Sequence, residues 1–294
     1  MTRSSIAFGL LMLVASQLAC ADDQVAGPSD AELVLAYTQD EGNSCNIQLL
    51  TLGRQHRTLP QSCGFDVAWS PDGRRLAFVR SGGEAAPPNL WIMNADGSNA
   101  AIVPGAQGLE SPDWSPDGQQ LAGALQSGFE LAVVHADGTG MHGLPGSSGI
   151  TNLERPSWSP DGSSLLFARN DTILSADVVS GDAHVLGVPG LHGISEPRWS
   201  PDGTHIAFLA PLVQLTAIYT MDADGSNITP LLAAGLDRFA WSPDSRELVY
   251  SASNGATIDV YIAATDGSSP PLNLTNNPAG SVSLHPDWAR ARLP

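Results

Sequence analysis

The tetrapeptide Trp-Ser-Pro-Asp begins at Trp69, Trp114, Trp158, Trp199 and Trp241, and a sixth tryptophan, Trp288, follows His285-Pro286-Asp287. The intervals run from 41 to 47 residues. A period of this length marks one supersecondary unit stacked on copies of itself, and four short strands fill it. In Ser-Pro-Asp-Gly, proline presets φ, the aspartate side chain caps the turn, and glycine tolerates positive φ. An apolar triplet follows, as in Leu76-Ala77-Phe78, Leu165-Leu166-Phe167, Ile206-Ala207-Phe208 and Leu248-Val249-Tyr250, and reads as a buried strand. A third strand ends at a hairpin glycine, as in Asp96-Gly97, Asp137-Gly138 and Asp224-Gly225, and a short fourth strand completes the unit. Two positions depart from the pattern: Gly123 replaces the aromatic, and Ser245 replaces the turn glycine.

The chain ends complete each other. Leu35-Ala36-Tyr37, Asn46 to Leu52 and His56 to Leu59 read as the second, third and fourth strands of a unit whose first strand is missing. Pro286-Asp287-Trp288 is a first strand with nothing after it. The expected fold is therefore all-β: a six-bladed β-propeller over residues 32–294, with four antiparallel strands per blade. The C-terminal strand closes it by pairing into the N-terminal blade, which removes exposed sheet edges. A hairpin turning about Gly53-Arg54 gives partner numbers summing to about 107 or 108, which sets Cys45 nearly opposite Cys63, within disulfide reach.

Residues 1–19 read as an export signal, with Arg3 ahead of an apolar run from Ile6 to Ala15 that is short for a bilayer span. Gln17-Leu18-Ala19-Cys20 resembles a bacterial lipoprotein signal, which implies that Cys20 is lipidated and becomes the mature N-terminus. Gln17 stands where that family usually has leucine, and an ordinary secretory signal is the other reading. Residues 20–31 form a polar tether. The chain is thus expected at a bacterial cell envelope, where a Cys45–Cys63 disulfide can persist.

The formal net charge is −17, and all 13 basic residues are arginines. That excludes a basic footprint for nucleic acid. The repeated aspartates Asp72, Asp117, Asp161, Asp202 and Asp244 occupy one turn position in successive units, so they are turn residues rather than a carboxylate cluster. Asp222 to Asn227 resembles the start of a calcium loop without its late glutamate and falls on a hairpin glycine, as does Asn94 to Asn99. A β-turn is the expected reading, with structural calcium as the other. The seven histidines share no spacing, and no metal site or cofactor is expected. No Gly-x-Ser-x-Gly elbow occurs.

Three residues ahead of each tryptophan stand Asp66, Ser111, Arg155, Glu196, Arg238 and His285. Four ahead stand Phe65, Glu110, Glu154, Ser195, Asp237 and Leu284. The Trp-Ser-Pro-Asp-Gly unit with its Ile/Leu-Ala-Phe strand resembles the repeat of the TolB-type propellers over residues 32 to 290. The same unit occurs in propellers of prolyl-oligopeptidase-type peptidases and oligogalacturonate lyases. The resemblance implies that the tryptophan strand is innermost, so that these positions ring one mouth of a central channel. TolB proteins are periplasmic, carry an α/β domain ahead of the propeller, and bind a peptidoglycan-associated lipoprotein at the propeller. Here the tether runs into the first blade at Leu33, and no such domain is expected. The expected function is a non-enzymatic, monomeric binding module, held at the membrane by lipid. It would present Asp66, Glu110, Arg155, Glu196, Arg238 and His285 to a protein or peptide. The alternative is a carbohydrate- or peptide-processing lyase or hydrolase using the channel. Arginines exposed at a mouth are expected to contribute little to stability.

Overall fold

The computed structural model describes residues 32–41, 45–52, 55–60, 62–81, 87–125, 130–147 and 155–291. The export signal, Cys20, the tether and Glu154 lie outside them. The described residues form 23 strands and no helix.

Each tryptophan strand passes to its neighbour through one turn. Ser70 Oγ donates to Asp72 Oδ1 at 2.6 Å and accepts from Arg75 N at 2.9 Å, while Asp72 Oδ1 accepts from Arg74 N at 3.0 Å. Gly73 N donates to Ser70 O at 2.9 Å with φ at +65°. The Ser–Asp pair recurs at Ser115, Ser159, Ser200 and Ser242, each donating at 2.6 Å. The repeated aspartates are therefore committed to their turns. Ser245 adopts φ 62° in place of glycine, and its Oγ accepts from Asp202 N of the preceding turn at 3.1 Å. Glycine could not make that link.

Three sheets are four-stranded and antiparallel. One holds Phe65–Trp69, Arg75–Arg80, Asn89–Asn94 and Ala101–Gln107. The next holds Leu109–Trp114, Gln120–Leu125, Glu130–His135 and His142–Gly143, and the third Ser157–Trp158, Ser164–Arg169, Thr172–Asp177 and Ala183–Leu186. The remaining strands join in one 11-stranded sheet. Two junctions produce it. Thr229–Trp241 runs through 13 residues, pairing first with Leu215–Asp222 and then with Glu247–Ser253. Val282–Ala291 pairs antiparallel with Glu32–Asp40, Leu35 opposite Trp288, and touches Ile258 at Val282.

Strand faces alternate, and here both faces are covered, so each four-stranded sheet contributes to two cores. Val34, Ile47 and Leu49 pack on Val67, Leu76 and Phe78. Cores of the same kind follow between the next sheets and then among the strands of the 11-stranded sheet, ending with one in which Ala240, Val249 and Val260 pack on Leu35, Tyr37 and Trp288. The repeated aromatics Phe78, Phe167 and Phe208 are at most 2% exposed. Each such ring stabilises the fold by about 1.5–3 kcal/mol. Gly123 has a packing cause. A Cβ there would stand 2.7 Å from Glu110 O and 2.8 Å from Leu109 Cγ, because Leu109 fills the space an aromatic takes elsewhere. One sheet earlier the exchange is reversed, with Gly64 leaving room for Phe78.

The first hairpin corrects the sequence register. Gln48 pairs Thr58 and Leu50 pairs His56, so partner numbers sum to 106 rather than 107 or 108. Cys63 lies beyond that ladder, because the paired strand ends at Thr58. It reaches Cys45 from the connecting segment, where Ser62 Oγ accepts from Ile47 N at 3.0 Å and donates to Leu59 O at 2.7 Å. Cys45 and Cys63 are disulfide-bonded with Cα atoms 4.8 Å apart and a separation of 18 positions. A loop of that length is stabilising by about 2–4 kcal/mol. Replacing both cysteines by alanine should lower the free energy of urea unfolding by that amount, and an unchanged midpoint would show that the crosslink constrains nothing.

Candidate functional site

Four of the six tryptophan strands share a distortion that sequence patterning does not announce. Three residues before the tryptophan, Asp66, Ser111, Glu196 and His285 all lie in the left-handed region, at φ 54°, 53°, 51° and 52°. The ladder slips there in the corresponding strands, between Phe65 and Ala68, Glu110 and Asp113, and Ser195 and Arg198. These are β-bulges, which re-aim a side chain at a cost in backbone strain. Aspartate and histidine tolerate that region better than most residues, so the strain falls mainly on Ser111 and Glu196.

The re-aimed side chains meet. Ser111 N and Oγ donate to Asp66 Oδ2 at 3.2 and 3.0 Å. Asp66 Oδ1 lies 3.3 Å from Arg238 Nη2 and 3.2 Å from His285 Nδ1. Arg238 Nη1 reaches Glu196 Oε1 at 3.4 Å, and Glu196 Oε2 lies 3.6 Å from Arg198 Nη2. Burial raises the Asp66 carboxyl, but the charges of Arg238, His285 and Arg155 and the Ser111 hydroxyl outweigh it and hold it below the usual carboxylate range. Glu110 moves the other way, pushed up by burial and by the Asp66 charge.

Five of the six sequence-selected residues thus converge, and three of the six are buried. Asp66 is 3% exposed, Arg155 2% and Glu196 7%. Arg155 is not a mouth residue. Its Nε donates to Pro112 O at 2.8 Å and its Nη2 to Val67 O at 3.2 Å, in two different sheets. Its Nη2 also faces Asp287 Oδ2 at 3.9 Å. The expectation that this arginine is an exposed charge of little structural weight is overturned by that burial. Glu110, Arg238 and His285 remain partly accessible. Asp66 N lies 3.1 Å and Asp66 Oδ1 3.2 Å from the same ring nitrogen, His285 Nδ1.

A second layer, one residue before the tryptophan, went unread in the sequence. Asp113, Arg198 and Asp287 belong to it. Asp287 Oδ2 accepts from Trp69 N at 2.7 Å, and Asp113 Oδ2 from Trp158 N at 2.9 Å, each tying one strand to its neighbour. Ser157 Oγ accepts from Trp199 N at 3.1 Å in the same way. Arg198 Nη1 stands 3.4 Å from Asp113 Oδ1. Burial, with Arg155 beside it, lowers Arg198 to about 10. Burial also raises Asp287, against the pull of Arg155 and Arg198 and with a further push from Asp113. The signal that could have found this layer is the two-residue period of a strand, which puts both layers on one side of it.

Beyond that layer lies a cavity of about 420 Å³. All six repeat tryptophans line it, with Pro71, Pro116, Pro160, Pro201 and Pro243 of the turns, and Asp113, Ser157, Arg198 and Asp287 at its polar side. Its lining includes none of Asp66, Glu110, Arg155, Glu196, Arg238 or His285. Among the described residues no group of three or more His, Cys, Asp or Glu side chains is placed to hold a metal ion, and no helix is long and apolar enough to cross a membrane.

Two curated proteins share short segments with this chain. The Tol-Pal system protein TolB of Alcanivorax borkumensis is 44% identical over 55 residues, spanning 18% of this chain and 12% of that protein. The uncharacterized peptidase YuxL of Bacillus subtilis is 42% identical over 57 residues, spanning 19% and 8%. The matched segment is thus a small part of either relative. Among solved structures, TolB from Acinetobacter baumannii superposes with a TM-score of 0.77 at 22% identity, covering 89% of this chain and 68% of that one. Putative TolB from Agrobacterium tumefaciens gives 0.65 at 20% identity, covering 87% and 98%. An oligogalacturonate lyase in complex with manganese gives 0.53 at 18% identity, covering 72% and 65%. At these identities the likeness is one of fold. The TolB beta propeller domain is matched across residues 66–289, and the chain belongs to that family.

Proposed function

We propose that the chain is a six-bladed, ring-closed propeller that binds a protein or peptide at the end of its axis where Glu110, Arg238 and His285 are accessible. The successive inter-sheet cores support the ring, since the last of them joins Ala240, Val249 and Val260 to Leu35 and Tyr37 at the other end of the chain. The observation that carries the binding reading is the convergence of unlike side chains at equivalent positions of the tryptophan strands. Packing positions repeat one residue type from copy to copy; these do not. Asp66 and Glu196 hold Arg238 and His285 in place, so that part of the surface is pre-organised, which lowers the cost of binding. In this reading residues 1–19 are removed, Cys20 carries lipid, and residues 20–31 tether the ring to a bacterial envelope membrane. The printed name of the Alcanivorax relative, a Tol-Pal system protein, suits an envelope partner.

The test is crosslinking capture from intact envelopes, comparing the unaltered chain with Glu110→Ala combined with Arg238→Ala. Partner recovery should fall about tenfold or more if the arginine is a desolvated anchor, while the circular dichroism spectrum stays that of the folded chain. Equal recovery places recognition elsewhere. Turnover of a defined glycan or peptide by the purified chain would favour the lyase or hydrolase reading instead.

A further inference from the structure

We propose that the tryptophan-walled cavity is a second site, which seats one organic cation, a primary ammonium or guanidinium group, against Asp113 and Asp287. The axial groups are short of positive charge. Asp66, Glu110, Glu196, Asp113 and Asp287 face Arg155, Arg198 and Arg238, so five carboxylates share three guanidinium groups and one histidine. Accessibility sharpens the imbalance at the cavity. The Asp113 and Asp287 side chains keep 21% and 18% of their surface, whereas Arg198 keeps 7% and Arg155 2%. What the cavity offers an incoming group is therefore carboxylate. The one other arginine lining it, Arg290, is exposed to solvent.

Size and walls select the kind of cation. About 420 Å³ is many times the volume of a bare ion and falls within the usual range for small-molecule sites. Tryptophan and proline walls suit the aliphatic stem of an amine, and the carboxylates suit its charged head. Both aspartates are held by backbone donors, Trp158 N and Trp69 N, so they need no reorganisation to receive it. The chain's net charge of −17 adds long-range attraction of the same sign.

The experiment titrates the full chain with N-acetyl-lysine methylamide and, separately, with its uncharged counterpart N-acetyl-norleucine methylamide, followed by calorimetry and tryptophan fluorescence. The lysine probe should bind at least about tenfold more tightly. Asp113→Asn combined with Asp287→Asn should remove that preference. If this variant fails to fold, the two probes on the unaltered chain still decide. Equal affinity for both, or no binding of either below about 10 mM, overturns the proposal. Cadaverine binding as tightly as the lysine probe would assign the site to free amines, and weaker binding to a basic side chain of a peptide. Val179→Ala, at an exposed residue outside both sites, should leave lysine-probe binding unchanged. Partner capture and probe binding can thus fail separately, and each failure belongs to one reading.

Discussion

Deleting residues 282–294 should abolish cooperative unfolding altogether. The lost strand carries Trp288 at 4% exposure, with Ala289 and Ala291 also buried, and it supplies one side of the ladder to Glu32–Asp40. Loss of a buried tryptophan alone costs about 3–5 kcal/mol. Removing the strand also uncovers Leu35 and Tyr37, which are at most 1% exposed, and leaves a row of unpaired backbone groups on a sheet edge. The combined loss reaches the whole stability of a typical domain, about 5–15 kcal/mol. Near-ultraviolet circular dichroism should therefore be featureless for the truncated chain. A synthetic peptide of residues 279–294 added in excess should restore the signal, because the missing strand needs only to pair and pack. A truncated chain that melts like the full one would mean that the terminal strand does not hold the sheets together.

How far the sequence revealed this architecture follows from which features repeat. The tryptophans, turn prolines and turn aspartates recur at one place in each unit, so their roles are readable without coordinates. The complementary ends were equally readable, and Leu35 does face Trp288. Cys63 was harder to place, because its approach depends on a side-chain-bonded segment around Ser62 and not on ladder register. The candidate site was legible only in part. Asp66, Ser111, Glu196 and His285 differ from one another, and serine and glutamate give no sign of positive φ, so a distortion common to all four is not legible from residue type. Burial was illegible too, since it arises when several strands bring side chains to one point. The tryptophan cavity is hidden in the sequence for the opposite reason: rings that never vary from unit to unit look like packing positions, although the same rings wall an open space.

Arg155→Ala should be among the most damaging single substitutions in the chain, costing about 3–5 kcal/mol, the range for breaking a buried ion pair. Three losses combine. Pro112 O and Val67 O lose a charged donor, Asp287 loses its nearest guanidinium, and two sheets lose the bridge between them. Arg155→Lys should recover only part of the stability, because an ammonium cannot span both carbonyls as a planar fork does. The pH dependence separates the electrostatic loss from mere cavity formation. Burial already raises the Asp287 carboxyl in the folded chain, and removal of Arg155 takes away a charge that opposes this, so the variant's carboxyl rises further. A carboxyl raised on folding favours the folded state while protonated. That contribution is complete below the unfolded value, about 3.9, and is lost as pH rises through the folded one. The stability gap between Arg155→Ala and the unaltered chain should therefore be largest near neutral pH and narrow toward about pH 4.5. Urea unfolding of both proteins at the two pH values measures it. A gap that stays constant would mean that the loss is one of packing alone, and that Asp287 does not depend on Arg155 for its charge.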